Sequence, residues 1–281
     1  MKQLIPIYLL SLILFLIGLP SEYLWDDQLL IQNNPWAKDW NNIKDIWYWD
    51  LWKGIPGEHV SHWYRPLMAA HILLDEQLFA KALFPRYLCS LFWFWGMLFF
   101  LWKYLKRMEV QETVRLFLFS FIALHPVQQE LMFFLAARND SMVIVFSLLG
   151  IINKNQILKI IFFLLACLSK ENAPLIISFF TALDFLHQKK DQASSSILSL
   201  SISCGLYFFW RVRLDIPFPS LNFHLPLEIS TEYLRFIFTP FNLGTTESFP
   251  AKISIIGLFF LFYILIFLLK NKTIKEIMTI Y

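Results

Sequence analysis

Apolar residues in this chain come in long uninterrupted blocks, unlike the periodic stripes of a soluble helix or strand. The blocks cover residues 4–20, 87–102, 116–124, 142–152, 157–168, 173–183, 197–210 and 253–269. A helix needs roughly 20 mostly apolar residues to span a bilayer, and fewer where the bilayer is thin. Inside a bilayer only helices and closed barrels satisfy the backbone, and these blocks lack the alternation of barrel strands. The pattern therefore predicts an all-α, polytopic helical membrane protein.

Composition and charge narrow the class further. Hydrophobic residues make up 57% of the 281 residues and charged residues only 16%, whereas soluble domains carry about 25% charged residues. The net charge of +3, without any basic tract, gives no reason to expect a nucleic-acid partner. Cys89, Cys167 and Cys204 lie inside apolar blocks without CxxC spacing. We interpret them as small core residues and expect neither a disulfide nor a cysteine metal site.

The basic residues predict how the blocks are oriented, because loops rich in Lys and Arg stay in the cytoplasm. They cluster at Lys2, at Lys103, Lys106 and Arg107, at Lys154 and Lys159, at Lys189 and Lys190, and at Lys270, Lys272 and Lys275. Placing all five clusters inside gives about eight spans, with both termini cytoplasmic and segment 21–86 outside. We expect block 4–20 to be a retained anchor, since it is longer than the core of a signal peptide.

The external segment 21–86 is rich in tryptophan. It holds Trp25, Trp36, Trp40, Trp47, Trp49, Trp52 and Trp63. After Asn34 and Pro35, a good helix start, apolar residues recur at helical spacing from Trp36 to Leu51. This pattern predicts an amphipathic helix lying in the membrane interface, and residues 66–83 predict a second one. The alternative is a plain soluble loop that contains some aromatic residues.

Polar residues cluster at the ends of the blocks, and the predicted topology places these clusters on the external side. They are Asp26 with Asp27, "HWYRP" at 62–66, "HPVQQE" at 125–130, "ARND" at 137–140, "SKEN" at 169–172 and "WRVR" at 210–213. Charged residues at the ends of spans tend to line a cavity or to bind a ligand. Taken singly, Arg138 and Lys170 could snorkel to lipid headgroups, and Asp26 could cap a helix. Together the clusters predict a charge-lined external cavity.

Transfer of a group from a lipid-phosphate donor suits such a cavity. A carboxylate can take the proton from an acceptor hydroxyl as that hydroxyl attacks. Arg and Lys side chains can hold the phosphate and offset the charge that builds on the leaving group. The bilayer would deliver the lipid tail between the spans.

Five segments also resemble a known family when taken in order. The segments "WDDQLLIQNNP", "YRPL", "HPVQQE", "RND" and "SKE" resemble the transmembrane and tetratricopeptide-repeat O-mannosyltransferase family and its bacterial relatives. The resemblance covers about residues 20–245. It implies a GT-C glycosyltransferase fold, a polyprenyl- or dolichyl-phosphate sugar as co-substrate, and a protein or glycan acceptor. It also implies a multi-pass membrane location, in the bacterial cytoplasmic membrane or in the endoplasmic reticulum of a eukaryote, with an extracytoplasmic active site.

The resemblance and the chemistry together give the candidate site. The resemblance carries the presumed general base over to Asp26 and Asp27, the first acidic pair. The candidate donor-phosphate ligands are Arg138, Lys170, Arg65 and Arg211. The supporting residues are Tyr64, His125, Glu130, Asn139, Asp140 and Glu171. A carboxylate pair could also hold Mg²⁺ or Mn²⁺, although the resemblance does not require a metal at Asp26 and Asp27.

The sequence departs from the family at its end, because family members have a long helical-repeat tail. We expect a single domain over residues 1–281 without such a repeat domain, either in a truncated gene product or in a minimal transferase that has another acceptor. The expected function is an inverting transfer of a sugar, a mannose-like hexose, from polyprenyl phosphate to a hydroxyl. The alternatives are a lipid-phosphate transporter or flippase, and a non-catalytic remnant of the fold. Parallel internal repeats would favour transport, and the sequence shows none.

Overall fold

The computed structural model describes residues 2–53, 55, 63–125, 128 and 130–214, all within one compact unit, Met1–Ser220. In these ranges the chain is helical and has no β-strand. The α-helices are α1 (Ile5–Gly18), α2 (Pro66–Phe79), α3 (Leu83–Arg107), α4 (Glu112–Leu124), α5 (Glu130–Phe133), α6 (Arg138–Ile152), α7 (Gln156–Ser169), α8 (Ala173–Leu186) and α9 (Lys190–Arg213). The predicted all-α class is therefore confirmed for this part of the chain.

The predicted apolar blocks fold as helices wherever the structure describes them. Three helical stretches are long and apolar enough to cross a membrane: Leu83–Arg107, Leu135–Ile152 and Lys190–Arg213. Helices α1, α7 and α8 are also apolar but have only 14 residues each. These lengths do not support the predicted eight spans. The last predicted span, 253–269, lies outside the described residues.

Helix α6 lies at the centre of the described unit and packs against α3, α7 and α8, while α7 packs against α9. The close approach of α6 and α7 depends on Gly150, because a Cβ atom there would collide with the ring of Phe163. A second group of contacts joins α1 to α4 and α3 to α5. Most of α6 is thereby buried, which makes it the element that connects the other helices.

Basic residues meet at one end of the helices, here called the basic end. Arg107, at the end of α3, contacts Asp184 on α8 with an Nη2–Oδ2 distance of 2.6 Å. The same guanidinium donates to the carbonyl of Ile151, at the end of α6, and to Gln192, near the start of α9. Lys189 donates to the carbonyl of Arg107. Two of the predicted basic clusters are therefore neighbours in space.

The tryptophan-rich segment contradicts one prediction. Instead of one helix, the structure has three short 3₁₀ turns, Trp36–Lys38, Trp40–Ile43 and Asp45–Trp47. Asp39 interrupts them with an extended backbone (φ −109°, ψ 113°), and its carboxylate accepts a hydrogen bond from the Asn41 backbone N–H. Short polar side chains compete in this way with a regular helix for backbone donors. The predicted helical region at 66–83 does form a helix, Pro66–Phe79.

The distribution of polar and apolar side chains is compatible with a membrane protein. Large apolar side chains are exposed on the outer helices, including Ile17 (79%), Leu175 (75%) and Phe209 (69%). Arg86, Lys159 and several serines of α9 are buried. Monomeric soluble proteins rarely expose extended apolar patches, whereas polar residues inside a membrane protein face the interior of the bundle.

Candidate functional site

The structure separates the two adjacent carboxylates at the start of the tryptophan-rich segment. Asp27 is completely buried, and its two oxygens accept hydrogen bonds from the backbone N–H groups of Leu135 and Ala136, each at 2.8 Å. Asp26 is exposed. Trp25, directly before them, has a positive φ of 41°, which is a genuine outlier for a bulky residue. The carboxylate of Asp27 is thus hydrogen-bonded inside the protein, and that of Asp26 is open to solvent.

The electrostatic environment of Asp27 is unusual. Burial raises the pKa of its carboxyl group to about 7, although the two backbone hydrogen bonds and the charge of Arg138 lower it, and Asp26 raises it slightly further. Loss of hydration disfavours a charged carboxylate, and the hydrogen bonds offset only part of that cost. Asp27 therefore changes its charge near neutral pH.

Arg138, a candidate phosphate ligand, lies in the interior. It is 4% exposed and contacts Asp75 on α2 with an Nη1–Oδ2 distance of 2.7 Å. Its guanidinium also donates to Ser90 Oγ at 3.0 Å and to the carbonyl of Arg86 at 2.8 Å. This arrangement satisfies the guanidinium with protein groups. It favours a structural role for Arg138, as the link between α2, α3 and α6.

Two other candidate cations are ion-paired but partly exposed. Lys170 Nζ lies 2.7 and 2.8 Å from the two carboxylate oxygens of Asp140. Arg65 donates to both oxygens of Glu171, at 2.8 and 2.5 Å. Burial alone would raise the pKa of Glu171, but its hydrogen bonds to Arg65 and the positive charge of that residue hold it below the usual value. The side chains of Arg65 and Lys170 are 14% and 23% exposed.

The remaining candidates at this end fall into two groups. Tyr64 and Arg211 are buried: Tyr64 donates to the carbonyl of Trp47 at 2.8 Å, and Arg211 donates to Tyr207 Oη at 3.2 Å. Tyr207 Oη in turn donates to the carbonyl of Tyr64, and Trp210 Nε1 donates to the carbonyl of Trp47, each at 3.4 Å. These two bonds connect the end of α9 to the tryptophan-rich segment. Glu130 is exposed and interacts electrostatically with Asp140 and Lys170, so it belongs to the charged cluster.

His125 and Asn139 have less direct connections to that cluster. The ring of His125, at the end of α4, packs on Phe121 with 4.9 Å between centroids. Asn139 is buried and donates to the sulfur of Met68 at 3.4 Å. His62 and Pro126, which belong to two of the predicted polar segments, lie outside the described residues.

A small cavity of about 10 Å³ lies between α2 and α6. It is lined by Ile31, Met68, His71, Ile72, Asp75, Leu135, Arg138, Asn139 and Met142. Burial, together with the charge of Arg138, lowers the pKa of His71 to about 4, so this ring is neutral at neutral pH. A cavity of this size has room for about one water molecule, which is too little for a sugar or a phosphate.

Two buried arginines at the site have carboxylate partners that were not predicted from the sequence. Asp75 and Glu76 interrupt the apolar residues of segment 66–83, and neither is among the predicted site residues. In the structure Asp75 pairs with Arg138, and Glu76 pairs with the fully buried Arg86. A carboxylate inside an otherwise apolar helix is a signal that could have pointed to a buried partner.

The described residues give no support for a metal at the acidic pair. They contain no group of three or more His, Cys, Asp or Glu side chains arranged to hold a metal ion. Asp27 already uses both oxygens for backbone N–H groups.

Comparison with known proteins identified no relative of this chain. No family model matches the chain, and neither a curated protein nor a solved structure matches it. The candidate function therefore depends on the residues and geometry of this chain.

Proposed function

We propose that this protein is a membrane glycosyltransferase that uses a polyprenyl-phosphate sugar as donor. It would transfer the sugar, a mannose-like hexose, to a hydroxyl group of a protein or glycan on the extracytoplasmic side. The motif resemblance suggests this class of reaction. The arrangement of charged residues at one end of the helices supports it.

The membrane setting is supported by helix length and by the surface. Three helical stretches are long and apolar enough to cross a bilayer. Large apolar side chains are exposed on α1, α7, α8 and α9, where lipid tails would cover them. A lipid-linked donor would reach the site along such a surface.

The observation that carries the proposal is the exposed carboxylate of Asp26 at the same end as the charged cluster. Asp27 accepts hydrogen bonds from the backbone N–H groups of Leu135 and Ala136, which are three and two residues before α6 begins. Asp140, in the first turn of α6, binds Lys170. One short stretch of chain therefore connects the acidic pair to the cluster that contains Lys170, Glu171 and Arg65.

The reaction would be a single displacement at the anomeric carbon. The acceptor oxygen forms the new glycosidic bond while the bond from that carbon to the phosphate oxygen breaks, which inverts the configuration. Polyprenyl phosphate leaves with the bonding electron pair. Asp26 takes the proton of the attacking hydroxyl, which requires an accessible, ionised carboxylate.

The phosphate of the donor would bind to Arg65 and Lys170. Both cations are partly exposed, unlike Arg138 and Arg211. Both are also neutralised by carboxylates in this structure. The donor would therefore have to displace Glu171 and Asp140. A phosphate group can do so because it offers charged oxygens to the same planar guanidinium and ammonium donors.

The test is transfer by the purified full chain in lipid nanodiscs supplied with polyprenyl-phosphate mannose and an acceptor peptide or glycan. Release of polyprenyl phosphate with glycosylation of the acceptor supports the proposal. Loss of general-base catalysis typically costs about 10²–10⁴-fold in rate, so Asp26→Asn should show a decrease of that size. Asp191→Asn, at an exposed carboxylate in the first turn of α9, is the matched control. Donor movement across vesicle membranes without release of polyprenyl phosphate would instead show a transporter.

A further inference from the structure

Asp27 makes two contacts that tie distant parts of the chain together. Its carboxylate accepts from Leu135 and Ala136, which are 108 and 109 residues further along the chain. These residues begin the 3₁₀ turn Leu135–Ala137, which leads directly into α6. The first N–H groups of a helix have no acceptor within the helix, and here the Asp27 carboxylate takes that place. Its negative charge also suits the positive end of the helix dipole.

A second contact joins the same two segments. The ring of Trp25 meets the ring of Phe134 edge to face, with 5.6 Å between centroids. Trp25 adopts the positive φ of 41° on the other side of Asp26. Such a backbone conformation costs free energy and persists only where the surroundings enforce it. Asp26 is therefore held between two residues that both contact the segment 134–136.

We propose that Asp27 is a positioning residue whose buried carboxylate clamps the segment bearing Asp26 to the turn before α6. The clamp fixes the exposed carboxylate relative to Asp140 and the ion pair that Asp140 makes with Lys170. The position of Asp26 as proton acceptor rests on the proposed function. The clamp between Asp27 and the turn does not, and it is measurable without any transfer reaction.

The clamp depends on the charge of Asp27. An ionised carboxylate accepts both N–H groups, whereas protonation converts one oxygen into a donor that faces an N–H group. The charged and titratable groups around Asp27 are Arg138 from α6, Tyr87 from α3, and Asp26 and Tyr23 from its own segment. Burial raises the pKa of Asp27 to about 7. The clamp should therefore loosen as the pH falls below neutrality.

The first arm of the experiment is amide hydrogen exchange of the full chain in lipid nanodiscs, read by mass spectrometry on peptides that cover 134–137. Asp27→Asn replaces one acceptor oxygen with an NH₂ group, so exchange at positions 135 and 136 should become roughly 10- to 100-fold faster. Asp26→Asn makes the same chemical change one residue earlier and should leave this exchange as it is. Equal exchange in the parent and in Asp27→Asn would overturn the clamp.

The unaltered protein provides the same answer if Asp27→Asn does not fold. After correction for intrinsic exchange, protection of the amides at 135 and 136 should increase from pH 6 to pH 8. Protection in the middle of α6 should stay constant over that range. Constant protection at both places would contradict the proposal.

The second arm measures turnover against pH and separates positioning from a merely structural role. In the parent, turnover should fall as the pH drops through about 7, while the protein stays folded. Asp27→Asn should keep a low turnover, reduced about tenfold, without that step. If Asp27→Asn abolishes turnover but keeps amide protection, and Asp26→Asn is active, Asp27 is the base and the proposal is wrong. If the parent shows no transfer, the proposed function fails while the exchange arm still decides the clamp.

Discussion

Arg65 holds Glu171 through two hydrogen bonds, of 2.8 and 2.5 Å, across 106 residues of the chain. The planar guanidinium and the carboxylate match each other in this geometry. The same geometry is what Arg65 would offer to two oxygens of a phosphate group. Glu171 thus occupies the position at which an anionic donor group would compete.

Glu171→Gln removes the competing charge while it keeps the size of the side chain. We expect the KM for the polyprenyl-phosphate sugar to fall, by about 3- to 10-fold, because the phosphate no longer displaces a carboxylate. Arg65→Lys should raise the KM, since an ammonium cannot bind two oxygens in a fork. The measurement is turnover against donor concentration. Glu112→Gln, an exposed residue in the first turn of α4, is the control, and an unchanged KM in Glu171→Gln would contradict the assignment.

Arg138→Met tests the structural role of the buried ion pair between Arg138 and Asp75. Removing one partner leaves a buried charge uncompensated and typically costs about 3–5 kcal/mol. The thermal unfolding midpoint in detergent should therefore fall strongly. A double variant, Arg138→Met with Asp75→Leu, should recover much of the loss, because an apolar pair often replaces a buried ion pair well. A phosphate-binding Arg138 predicts the opposite: a raised donor KM with normal stability.

The raised pKa of Asp27 predicts a pH dependence of stability. The pKa of Asp27 is about 7 in the folded protein, against the usual 3.8 of an aspartate side chain, so the folded protein binds the proton more tightly than the unfolded chain. The stabilisation is present below about pH 4 and is lost as the pH rises through about 7, by up to roughly 4 kcal/mol. The unfolding midpoint should fall from pH 5 to pH 8 in the parent, and less steeply in Asp27→Asn. Asp26→Asn should follow the parent, and parallel curves in all three would refute the prediction.

Stability and clamping therefore respond to pH in opposite directions. Ionisation of Asp27 strengthens its hydrogen bonds to the turn before α6. The free-energy cost of burying the charge is nevertheless larger than the stabilisation that these hydrogen bonds provide.

Cysteine labelling tests the sidedness that the basic clusters predict. Asp45→Cys should react with a membrane-impermeant maleimide from the external side, and Lys106→Cys only from the cytoplasmic side. Both positions are exposed in the structure, so burial does not limit the reaction. The native cysteines should first be replaced by serine, because Cys89 and Cys204 are partly exposed. External labelling at 106 would reverse the topology.

The sequence predicted the ends of the helices better than the contacts between them. Polar residues mark where apolar blocks stop, and consecutive blocks connected by short loops run in opposite directions. Arg138 at the start of α6 and Lys170 after the end of α7 could therefore be placed at one end of the bundle from the sequence. The ion pair between Lys170 and Asp140 agrees with that placement.

The sequence could not predict the partners of Asp27 or Arg138. Asp26 and Asp27 are chemically identical neighbours, and only the fold determines that one is buried and the other exposed. The predicted helix from Trp36 to Leu51 was wrong for a local reason, because Asp39 adopts an extended backbone and its side chain binds the backbone N–H of Asn41. The helical spacing of apolar residues carries no information about this competition for backbone N–H groups.

In the membrane setting proposed above, the short length of helices α7 and α8 would have a consequence for the surrounding lipid. Their 14 residues span about 21 Å, whereas the hydrocarbon core of a bilayer is about 30 Å thick. The loop between them, which carries Lys170 and Glu171, would then lie below the normal level of the headgroups unless the bilayer became thinner there. Such a local hydrophobic mismatch would draw water and headgroups down to the charged loop. The phosphate of a lipid-linked sugar could then reach Arg65 and Lys170 while the lipid tail of the donor stays in the hydrocarbon core.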